Sequence, residues 1–118
     1  MRACCAWCRS YVRHVVARRV HRWQKDLSAE ARIIVRWEAE RDVVSYAVTM
    51  VARVDGGWRT VVVFDCSHDD RNDRHRHTFD GVKGPAETFH HGTPSEAVND
   101  AIDLIRAEHE RMIERWRP

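Results

Sequence analysis

The sequence is short of the residues that break a chain or staple it. Three prolines and five glycines among 118 residues leave few obligatory turns and exclude collagen-like or Pro/Gly-rich low-complexity character. No apolar run approaches the ~18 residues that a membrane-spanning helix requires. Cysteine is scarce and badly spread for a disulfide framework: Cys4, Cys5 and Cys8 crowd the first eight residues, and Cys66 stands alone. Arg and His interrupt the early apolar stretch, so no secretory signal is expected and a reducing cytoplasm is the expected location. No internal repeat is present. The length suits one domain with one modest core.

Charge, by contrast, is plentiful at 32% and unevenly spread. Residues 1–28 hold seven Lys or Arg against the single acid Asp26, whereas residues 29–118 hold 13 bases against 17 acids. The formal net charge of +2 therefore conceals a basic arm on a mildly acidic body. An arm of this kind meets an anionic partner, docks on its own body, or stands as an extension.

The hydrophobic period changes near residue 28. Before it, Cys5, Cys8, Val12, Val15, Val16, Val20, Trp23 and Leu27 recur at spacings of three and four, which predicts a basic amphipathic helix over 4–27. After it the period is two. Ile33, Val35, Trp37 and Ala39 alternate with Ile34, Arg36, Glu38 and Glu40, and Val44 to Val54 repeats the period. Asp55-Gly56-Gly57 is a turn signal, and the next strand runs from Trp58 to Asp65. A three-residue loop with Gly57 at positive φ would pair Val54 with Trp58, Ala52 with Thr60, Met50 with Val62 and Val48 with Phe64, keeping both apolar sets on one face. Trp37, Trp58 and Trp116 are accordingly expected in the core. A short fourth strand is expected over 74–79, with a brief extended piece near 87–90. Thr93-Pro94-Ser95-Glu96 is a capping box with proline at the first helical position, opening a helix to about Trp116. The expected fold class is α+β: an antiparallel β-meander of about four strands packed by a long C-terminal helix, with an N-terminal basic amphipathic helix. The expected division is an arm over 1–28 and an α+β domain over 29–118.

The densest chemistry lies in Asp65, His68, His75, Arg76 and His77, with His90 and His91 close behind. Residues two apart on a strand project their rings about 7 Å apart on one face. One reading makes His75 and His77 the acid and base of a metal-independent ribonuclease, with Arg74 and Arg76 on phosphate. A second makes them zinc ligands, completed from Asp65, His68 or His90. A third is a polar strand end with satisfied histidines. Arg13, Arg18 and Arg22 of the arm are further candidates for nucleic-acid contact. Asp69, Asp70 and Asp73 do not follow the spacing of a Ca²⁺ loop. Cys5-Ala6-Trp7-Cys8 lacks the preceding strand of a redox motif and the second ligand pair of a zinc site.

Val63-Phe64-Asp65, the polar loop after it, Asp73-Arg74-His75-Arg76-His77 and a closing helix that begins Ser95-Glu96-Ala97 together resemble the TumE-like toxin components of prokaryotic toxin–antitoxin modules. The resemblance covers about 85 residues. It implies a compact growth-inhibiting protein held by an antitoxin partner, with RNA as target; the acid/base chemistry read from His75 and His77 would need no cofactor. A non-enzymatic module that binds protein or nucleic acid is the alternative from another class.

Overall fold

The computed structural model describes residues 18–66, 75–78, 82–89 and 92–116, and of residues 75–77 the backbone alone. Six strands follow one another in sheet order: β1 (Arg19–Ser28), β2 (Ala31–Ala39), β3 (Val43–Val54), β4 (Gly57–Asp65), β5 (His75–Thr78) and β6 (Glu87–Thr88). Each pairs antiparallel with the next. Among the described residues one helix, α1 (Pro94–Trp116), follows the strands.

Alternation dictates which face the helix takes. Ala31, Ile33 and Val35 of β2, and Tyr46, Val48, Met50 and Ala52 of β3, are buried at every second position. All but Ala31 share one core cluster with Ala97, Val98, Ala101, Ile105 and Trp116 of α1. The spacings of three, four and eleven along α1 are those of one helical face. Thr93 caps that helix as expected. The Glu96 backbone N–H donates to Thr93 Oγ1 at 3.2 Å, and the Thr93 N–H donates to Glu96 Oε1 at 2.9 Å. Phe64 packs edge-on against Phe89, with ring centroids 4.5 Å apart. The α+β meander closed by a long helix is therefore present.

Two expectations need correction. The helix predicted over 4–27 is replaced across its second half by β1, which pairs with β2 from Arg19 to Ser28. Trp23 and Leu27, its half-buried residues, are four apart. A spacing of four is even, so it satisfies a period of two as well as one of 3.6. Residues 19–28 consequently belong to the sheet and not to a separate arm. The remainder of the predicted helix, with Cys4, Cys5, Cys8 and Arg13, lies outside the described residues.

The second correction concerns the β3–β4 hairpin. Met50 faces Val62 and Val48 faces Phe64 as expected, but Val54 pairs with Gly57, Arg53 with Trp58, and Val51 with Thr60. The loop is the two residues Asp55 and Gly56, both at positive φ (52° and 79°). That is the turn whose twist best suits a tight hairpin, and Asp-Gly is one of its preferred pairs. A β-bulge between Met50 and Val51 absorbs the odd residue, Val61. Val61 and Val62 are both buried in consequence. The strand before the bulge is inverted, so Trp58 and Thr60 share the face of Arg53 and Val51, away from the helix.

Candidate functional site

The face of the sheet turned away from α1 is covered by no described element. Its cross-strand rows can be read from the register. One row runs Arg22, Arg36, Ala47, Asp65 and the backbone position of His75. The next runs Gln24, Ile34, Thr49, Val63 and the position of His77. A third holds Asp26, Arg32, Val51 and Thr60, and beyond it Arg53 stands opposite Trp58. Ile34, Thr49, Val51 and Val63 are half-buried and form a largely apolar centre. Charges line the ends of the strands.

The basic side chains on this face are unequally engaged. Arg18, just before β1, donates to Glu38 at 3.3 Å and to Glu40 at 3.0 Å. Its hydrogen bonds to Glu40 first and Glu38 next push its pKa further up. Its charge is shared by two carboxylates of its own chain. Arg36 also reaches Glu38, at 3.0 Å, and Arg32 reaches Asp26 at 2.7 Å. Among the described residues Arg22 and Arg53 form no ion pair, and both are exposed. These two are the open cations of the face.

Of the residues predicted to act, Arg22, Arg18, Asp65 and the strand carrying His75 and His77 are brought to this one sheet. The register sets His75 opposite Asp65 and His77 opposite Val63. Directly paired strand residues have Cβ atoms about 4.5–5.5 Å apart, so the Asp65 carboxylate belongs to the neighbourhood of position 75. Arg76 occupies the intervening position, opposite Phe64 and Glu87. His68, Arg74, His90 and His91 lie outside the described residues, as do the loop acids and the side chains of His75, Arg76 and His77. No group of three or more His, Cys, Asp or Glu side chains suited to a metal ion occurs among the described residues.

Sequence reasoning missed Arg36 and Trp58. Arg36 was legible as a polar position of an alternating strand, directly across from Arg22. Trp58 was not, because its face depends on the bulge. On the helix side, two grooves flank α1. One of ≈ 340 Å³ opens beside β5, lined by Thr78, Glu87, Met112, Arg115 and Trp116. The other, of ≈ 260 Å³, lies over Trp23, Trp37, Val98 and Ile102. His21 stacks on Trp37 at 4.9 Å between centroids.

Fold and site define an α+β protein in which an antiparallel meander is covered on one face by a long helix and on the other by no described element. A family model described as a domain of unknown function, DUF7718, matches residues 16–118, and the chain belongs to that family. The match begins just ahead of β1 and includes it, in keeping with a first strand that is integral to the sheet. No curated protein and no solved structure matches the chain. No described helix is long and apolar enough to cross a membrane.

Proposed function

We propose that the chain binds nucleic acid, RNA foremost, across the open face of its sheet, and that His75 and His77 act there as the acid and base of metal-independent RNA cleavage. The observation that carries the reading is the row from Arg22 through Arg36 and Asp65 to position 75. Four strand spacings of about 4.8 Å make it roughly 19 Å long. One end of the row is cationic and holds the Arg22 guanidinium, which has no ion-pair partner among the described residues. The other end reaches the backbone position of His75, with that of His77 in the adjacent row. A phosphate backbone laid along it would meet charge first and proton-transfer groups second. In the cell such a protein would serve as a toxin component restrained by an antitoxin partner.

The test is anisotropy of a labelled RNA oligomer at two salt concentrations, followed by gel analysis of cleavage. Arg22→Ala is expected to weaken binding about equally for all sequences and to lower the salt slope by about one. His75→Ala with His77→Ala is expected to abolish cleavage while leaving affinity within a few-fold. In an induction assay the same double variant should no longer arrest growth. Wild-type protein that neither retains nor cuts RNA would end the proposal.

A further inference from the structure

Tryptophan is a costly residue to leave on a surface, since it contributes more buried area than nearly any other side chain. Trp58 is 39% exposed. It owes that exposure to the bulge at Val61: a regular strand would carry it to the helix side with Val62 and Phe64. Bulges recur where a side chain must be re-aimed, commonly beside a site.

Its surroundings are specific. The Arg32 guanidinium carbon lies 4.5 Å from the Trp58 ring centroid and that of Arg53 5.9 Å away. Asp26 holds Arg32 at 2.7 Å and takes up its charge. Arg53, opposite Trp58 in the register, has no carboxylate partner among the described residues. The indole therefore has one compensated and one uncompensated guanidinium no more than 5.9 Å from its ring centroid. From Ala47 to Arg53 along β3 is six residues, or about 20 Å, so this corner lies a few nucleotides from the histidine-bearing row.

We infer that Trp58, with Arg32 and Arg53, forms a stacking subsite for one unpaired nucleobase, so that the nucleic acid held by the open face is single-stranded. The inference rests on the nucleic-acid reading given above and narrows it. A base in a duplex has its faces occupied by its neighbours and cannot stack on a side chain, whereas an unpaired base offers a free π-face. The Arg53 guanidinium is placed to meet the phosphate beside a base stacked on Trp58, and Arg32, which lies over the ring, backs the indole by a cation–π contact. Stacking is tolerant of sequence, so the subsite selects strandedness and not base identity.

The experiment measures anisotropy of a labelled uridine decamer and of a ten-base-pair RNA duplex against the full chain, Trp58→Ala and Trp58→Phe. Thermal melts establish that each variant is folded. The wild type is expected to prefer the single strand. Trp58→Ala is expected to lose roughly 5- to 100-fold on the single strand and nothing on the duplex, with Trp58→Phe keeping most of the affinity. Equal single-strand affinity for wild type and folded Trp58→Ala would overturn the subsite while sparing the nucleic-acid proposal, as would a preference for the duplex. Failure of the wild type to bind either probe would overturn both.

Discussion

The Trp116 indole N–H donates to the Thr60 carbonyl at 3.1 Å, across 56 residues of sequence. This bond is a consequence of the bulge. A bulge interrupts the ladder around the extra residue, and Thr60 lies immediately before Val61. A buried carbonyl without a donor costs about 1–3 kcal/mol, and the last turn of α1 supplies the donor. Trp116 thus ties the end of the helix to the irregular part of β4. Trp116→Phe keeps an aromatic ring in the core but deletes the donor. It is expected to lose about 1–3 kcal/mol, which for a domain near 100 residues lowers Tm by roughly 4–8 °C per kcal/mol. A thermal melt monitored by far-ultraviolet circular dichroism measures this. An unchanged Tm would mean that water satisfies the Thr60 carbonyl equally well.

At the level of elements, the hairpin distinguishes what a local pattern specifies from what it leaves open. Alternation in β3 and β4 fixes Met50 against Val62 and Val48 against Phe64, because any other pairing would bury polar side chains. Near the turn two devices compete: a three-residue loop with regular strands, or a two-residue loop with a bulge. Both keep the distal register, so apolar spacing cannot choose between them. The choice falls to backbone twist, which favours Asp55-Gly56 at positive φ. The glycines separate the alternatives experimentally. Gly56→Ala is expected to cost about 1–2 kcal/mol, because alanine pays for the left-handed conformation, although its Cβ would meet no atom within 4 Å. Gly57→Ala is expected to be nearly neutral, its Cβ meeting only the flexible Arg59 side chain at 3.7 Å. Urea titration of the two variants reads the difference. A larger loss at Gly57 would restore the three-residue loop. The capping box of α1 was legible for the opposite reason: Thr93, Pro94 and Glu96 act within one turn, and no distant strand can alter their spacing. The Asp65–His75 juxtaposition was half legible, since each residue was singled out but only strand pairing brings them opposite.

For the whole molecule, the decisive question is where the sheet begins. The charge break near residue 28 suggested a body that starts after Ser28, yet β1 pairs with β2 along its length and covers one flank of the core with Trp23 and Leu27. As the sheet's outer strand it carries Arg19, Arg22 and Lys25, and charged side chains of this kind discourage edge-to-edge association. The basic composition of residues 19–28 thus has a structural use in the sheet as well as a proposed one in binding. Two truncations test the assignment. Removing residues 1–17 ends before β1 and leaves every described strand pair in place. Removing residues 1–28 takes away the β1–β2 ladder, exposes the outer edge of β2, and uncovers Val35 and Trp37, which line the groove shared with Trp23. Half-buried Trp23 alone corresponds to about 1.5–3 kcal/mol of lost apolar burial, a sizeable part of the 5–15 kcal/mol that stabilises a typical domain. The shorter truncation is expected to melt cooperatively, and the longer one at least 10 °C lower (on the same per-kcal/mol scaling) or with no cooperative transition at all. If both truncations melt at the same temperature, β1 contributes nothing to the fold, and the row that begins at Arg22 loses its first member.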